Sequence, residues 1–164
     1  MNIVWGIILI VISSIGYVGQ AISTFWPGTA TKLGLMDPEA DVDPTFFADA
    51  RGEAFWDTAI LWTLPVAGVL LALNSPVWAY FGLVGGGMYL YFAGRGIVVR
   101  RLMQRRGIRI GSPDTLKVAY VFLTLWGLAA VITIVSVNGE AGDSSRVNVA
   151  TGATEAVDAV YSVA

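Results

Sequence analysis

A chain of 164 residues with 55% apolar side chains, 13% charged residues and a net charge of −2 departs from soluble domains, in which roughly 25% of residues are charged. It reads as an all-α, polytopic membrane protein, with room for one domain of three to five spans at about 20 residues each. Cys and His are both absent, which excludes disulfides, thiol redox relays, iron–sulfur clusters, imidazole-held haem, the usual zinc and iron sites, and Ser-His-Asp or Cys-His catalysts. No metal, cofactor or catalytic residue is expected, and the remaining chemistry is that of carboxylate, hydroxyl, amide and guanidinium groups.

The first apolar run, from Ile3 to Phe25, is interrupted only by Ser, Thr, Gly, Gln and Tyr. It predicts a retained span over residues 3–25. A secretory signal would need a basic n-region, where this chain has only Met1 and Asn2, and an A-x-A site, which does not follow. From Trp26 to Ala50 the composition turns to Pro27, Pro38 and Pro44 with Asp37, Glu39, Asp41, Asp43 and Asp49, which reads as a surface loop. The alternating acids do not make an EF-hand loop. Val42 and Ala48 stand where that loop needs a Gly and a Glu.

Asp43 followed by Pro44 predicts a helix start, with Asp43 as N-cap and Pro44 in the first helical position. That helix begins as an interfacial ramp bearing Phe46, Phe47, Phe55 and Trp56 and becomes the second span, residues 54–73, kinked at Pro65. Asn74-Ser75-Pro76 predicts a tight turn, and with it a hairpin into the third span, residues 77–99. There Gly82 and Gly86 form a small-xxx-small pair that lets two helix backbones approach closely, and packing within the chain is expected in preference to a homodimer seam.

Seven of the ten basic residues follow together: Arg95, Arg100, Arg101, Arg105, Arg106, Arg109 and Lys117. Residues 1–94 carry a net charge of −5, residues 95–117 of +6 and residues 118–164 of −3. Basic residues close to span ends mark the cytoplasmic side. Arg100, Arg101, Arg105, Arg106 and Arg109 are expected to meet anionic lipid headgroups, at about 1 kcal/mol each near the surface; nucleic acid is excluded as a partner by the spans on either side. Ser112 before Pro113 predicts a second N-cap, opening a fourth span over residues 116–137. Residues 138–164 form a polar, acidic extramembrane tail with a short helix over Ala153–Ala164.

Four spans in an antiparallel bundle, residues 1–137, then form a multi-pass protein of the cell membrane. The basic loop and the Trp26–Asp49 loop face the cytoplasm; both termini and the turn at residues 74–76 are external. Counted back from Ser75, Glu53 lies 22 residues away and Arg95 20, so at 1.5 Å per residue both sit roughly 30 Å along their helices. They arrive at one depth. Asp57 shares a face with Glu53, and Tyr17, Gln20, Tyr91, Lys117 and Tyr120 approach the same end. Charges in hydrocarbon pair or line a wet cavity. Two arrangements fit: a structural Glu53–Arg95 pair with Asp57 hydrogen-bonded to Tyr or Gln, or a polar pocket for a headgroup, small anion or proton.

Arg51-Gly52-Glu53 through Asp57 at the start of the second span, and Ala93-Gly94-Arg95-Gly96 at the end of the third, carry a resemblance to the DoxX-like group of small four-helix membrane proteins. The resemblance covers residues 1–137 in architecture and only those motifs in sequence. Members of that group have been linked to quinone-coupled oxidoreductase complexes, so it implies protein partners in the membrane; it carries over no activity, because nothing here supplies a redox group. Two functions are expected to compete. One is a non-catalytic subunit or assembly factor of a larger membrane complex, and the other a binding or transport module for a lipid, quinone or small amphiphile with its polar site near Asp57 and Arg95.

Overall fold

In the computed structural model, the described residues 2–161 form six α-helices and no strand; for residue 138 and residues 140–161 only the backbone is described. Helix α1 spans Asn2–Phe25. It ends because Trp26 precedes a proline and is driven out of the helical region, to φ −132° and ψ 63°. Pro27 then opens α2, Pro27–Lys32, a helix within the segment read as loop. Its first position suits proline, and Gly34, at φ +69°, closes it: Gly34 N donates to Thr31 O and Leu35 N to Ala30 O, a pairing that needs a left-handed residue. A 3₁₀ turn, Glu39–Asp41, follows.

Helix α3, Pro44–Ile60, starts as its sequence predicts, with Asp43 Oδ1 accepting from Thr45 N at 2.8 Å. It gives way at Leu61 and Trp62 to α4, Thr63–Ala72. Pro65 explains the break, since its ring collides with the carbonyl four residues earlier, at Leu61, and it offers no N–H. Side chains take up freed acceptors: Trp62 Nε1 donates to Ala59 O at 2.9 Å and Thr63 Oγ1 to Ile60 O at 3.0 Å. After a turn at residues 73–77, α5 runs Trp78–Arg105, so Arg100, Arg101 and Arg105 stand on a helix rather than in a loop. The last helix, α6, is Pro113–Tyr161, opened by Ser112 Oγ accepting from Thr115 N at 3.2 Å. Its helical backbone continues through residues 138–161, the segment read as a tail; the end of the short helix expected there, residues 162–164, lies outside the described residues.

Four stretches are long and apolar enough to cross a membrane: Asn2–Phe25, Pro44–Ala72, Trp78–Arg105 and Pro113–Val137. They are held together by close backbone approach. A Cβ on Gly6 would stand 2.8 Å from Gly68 O and Ala72 N, and one on Gly85 would stand 2.7 Å from Leu64 N. Gly82 and Gly86 face Val137 and Ile134 of α6, so this glycine pair is occupied within the chain. The core joins Leu9, Leu61, Leu64, Tyr89, Phe92 and Leu123. Two hydrogen bonds tie α1 into it: Tyr89 Oη donates to Ser13 O at 2.6 Å, and Trp126 Nε1 to Ile12 O at 2.9 Å. The outward faces are apolar instead of polar, with Val11, Ile15 and Val18 of α1 and Val121, Leu125 and Leu128 of α6 all at least half exposed.

Candidate functional site

The polar groups gather at one end of the molecule, beneath two loops that fasten to each other. Asp43 N donates to Arg109 O at 2.7 Å, and Arg109 Nη2 donates to Ala40 O and Val42 O at 3.2 and 3.4 Å. Asp37 Oδ1 accepts from Thr115 Oγ1 at 3.1 Å. Under this clasp lies a small apolar cluster of Val42, Phe46 and Ile110. Arg109 therefore holds the two loops together while remaining exposed.

Between α3 and α5 the charges form a row. Arg95 Nη2 lies 2.5 Å from Asp49 Oδ1, Arg95 Nη1 2.8 Å from Glu53 Oε1, and Arg100 Nη1 3.9 Å from Glu53 Oε2. The Glu53–Arg95 contact is ionic without being a directed hydrogen bond, since neither of those two atoms has a hydrogen-bond partner. The Arg100 guanidinium points inward, donates to Gly96 O at 3.1 Å and lies 5.7 Å over the ring of Phe46. Arg51 caps the end of α1 by donating to Ser23 O and Thr24 O. Arg101 stacks on Tyr120, whereas Arg105 and Arg106 are exposed.

Asp57, one turn beyond Glu53, is only 3% exposed. The hydrogen bond expected from Tyr or Gln does not form: Asp57 Oδ2 has no partner, because the buried phenol of Tyr89 is turned to Ser13 O and Gln20 lines a cavity on the other side of α3. Tyr91 joins Asp57 and Arg95 in the wall of a smaller pocket. Two residues expected in the cluster are elsewhere. Lys117 is exposed and pairs with Asp114 at 3.3 Å; Tyr120 Oη donates to Gln104 Oε1 at 3.0 Å.

Two cavities flank the ionic row. The larger, about 200 Å³, lies between α1, α3, α5 and α6. Trp126 and the segment 34–37 both line it, and its polar side chains, Gln20, Ser23, Asp37, Glu53, Arg100 and Thr115, stand in a largely apolar wall. The smaller, about 160 Å³, opens between α3 and α5 beside Gly52 and is walled by Glu53, Trp56, Asp57, Tyr91, Phe92 and Arg95. Glu53 belongs to both walls.

Asp49, Arg51 and Asp37 were not among the expected site residues. The signal for Asp49 is present, since it precedes Glu53 by four positions and so shares its face once α3 starts at Pro44. No family model, curated protein or solved structure matches the chain.

Proposed function

We propose that this chain is a multi-pass protein of the cell membrane, an antiparallel four-helix bundle with its basic end in the cytoplasm and both termini outside, that binds the apolar part of a lipid, quinone or other small amphiphile. Exposed aliphatic faces on α1 and α6 support the membrane setting, because a water-soluble surface rarely carries such continuous apolar area. The cavity between α1, α3, α5 and α6 carries the binding reading. Its wall is largely apolar and carries a few polar side chains, among them Gln20, Glu53 and Arg100, the combination that holds an amphiphile. At about 200 Å³ it falls below the roughly 300–1,000 Å³ of sites that enclose a whole drug-sized ligand, so it takes in part of the molecule and leaves the rest in lipid.

Mass spectrometry of lipid extracts from protein purified in mild detergent tests this reading. A Cβ on Gly19 would have nothing within 4 Å, and Gly19 lines the cavity, so Gly19→Leu fills it without displacing backbone. The wild type should retain a defined species in proportion to protein and Gly19→Leu should lose it at unchanged thermal stability. Absence of any retained species, or equal retention by the variant, overturns the assignment.

A second reading, a non-catalytic accessory subunit of a membrane complex, rests on the outer face of α5. Gly87 and Gly94 stand seven residues apart there with nothing within 4 Å, which leaves room for a partner helix. The motifs that carry the DoxX-like resemblance, around Glu53 and Arg95, face each other across the ionic row. Co-isolation of a stoichiometric partner that Gly94→Leu releases supports this reading; a lone chain with full biological activity opposes it.

A further inference from the structure

The smaller pocket, between α3 and α5, has a composition unlike the amphiphile cavity. Its wall holds two carboxylates, one guanidinium and three aromatic rings. The charges of the ionic row balance without Asp57: Asp49 and Glu53 carry two negative charges, and Arg95 and Arg100 two positive ones at 2.5–3.9 Å. Asp57 is left over, 3% exposed, with an oxygen that no donor reaches. Burial of an unpaired carboxylate is costly, and a positive partner offsets that cost.

The surroundings choose among positive partners. A bare metal ion takes six or more oxygen ligands if it is hard, and among the described residues no group of three or more Asp, Glu, His or Cys can hold one. An organic ammonium asks for less: one negative charge and the faces of aromatic rings. Trp56, Tyr91 and Phe92 provide the rings in the same wall as Asp57, and Trp56 and Tyr91 are 59% and 60% exposed at its mouth, where a ligand arriving from outside would meet them. Arg95 does not oppose such a guest strongly, because Asp49 and Glu53 both lie against its guanidinium.

From this geometry we infer that the pocket between α3 and α5 is a binding site for an organic ammonium cation, with Asp57 as counter-charge and Trp56 and Tyr91 as the cation–π faces. The site is separate from the amphiphile cavity, and its occupancy does not depend on that reading.

Equilibrium binding of radiolabelled benzyltrimethylammonium to the purified full chain in detergent tests the inference, with the neutral isostere neopentylbenzene as competitor. The expected result is saturable binding of one cation per chain that the neutral isostere fails to displace. Asp57→Asn, which keeps shape and removes charge, should weaken binding at least about tenfold; Trp56→Leu, at an exposed position that the fold does not need, should weaken it about three- to tenfold. Both variants are compared at matched monodispersity by size exclusion. No saturable binding by the wild type, undiminished binding by Asp57→Asn, or displacement by neopentylbenzene as effective as by unlabelled cation overturns the inference. The Trp56→Leu arm keeps the test decisive should Asp57→Asn fail to fold: unchanged affinity in that variant removes the aromatic site.

Discussion

Arg95 and Glu53 meet at 2.8 Å across α5 and α3, yet neither is the other's sole partner. Arg95 also holds Asp49 at 2.5 Å, and the second oxygen of Glu53 lies 3.9 Å from Arg100. The unit is a row of two guanidiniums and two carboxylates. Loss of a member therefore has a cost set by how many opposite charges it strands.

Arg95→Ala strands Asp49 and leaves Glu53 only the 3.9 Å contact with Arg100, whereas Glu53→Ala leaves Arg95 paired with Asp49 at 2.5 Å. Removing one partner of a fully buried pair costs about 3–5 kcal/mol; because Arg95 and Asp49 are 26% and 27% exposed, solvent screening lowers this, to about 2–3 kcal/mol for Arg95→Ala and about 1–2 kcal/mol for Glu53→Ala. The double variant should recover part of the loss, and adding Asp49→Ala should recover more. Thermal unfolding in detergent gives the coupling, and strictly additive losses would show that the residues do not interact.

Three successive positions on α5 should respond differently to one added methyl group. A Cβ on Gly85 meets backbone of α4, Leu64 N at 2.7 Å and Cα at 2.9 Å; on Gly86 it meets the Ile134 side chain at 2.8 Å; on Gly87 it meets nothing within 4 Å. Backbone cannot yield as a side chain can. Gly85→Ala should cost about 1–3 kcal/mol by overpacking, Gly86→Ala less, and Gly87→Ala should be neutral or stabilising by up to about 1 kcal/mol through helix propensity. Monodisperse yield and melting temperature rank the three, and equal behaviour would show that α4 and α5 do not approach as described.

The orientation proposed for the bundle follows from the basic end, and the absence of cysteine makes it simple to test. Single cysteines at Asn2 and Arg106, both exposed and at opposite ends of the helices, are treated with a membrane-impermeant maleimide in intact cells. Asn2→Cys should label at once and Arg106→Cys only after lysis. The reverse pattern would turn the protein over.

The features readable from residue order alone are those measured along a helix. The four apolar stretches, the caps at Asp43 and Ser112, and the common depth of Glu53 and Arg95 follow from run lengths, local cap chemistry and the rise per residue counted from the turn at residues 74–76. What residue order left open is the rotation of each helix about its axis. That rotation is set where α1 meets α4 at Gly6 and Gly68, where α4 meets α5 at Gly85, and where α5 meets α6 at Gly86. It turns Arg100 inward to Glu53, keeps Lys117 and Tyr120 with Asp114 and Gln104, and leaves Asp57 buried without a donor. Depth is counted along a single chain, whereas facing direction is a property of two surfaces in contact, and only the packed helices define it.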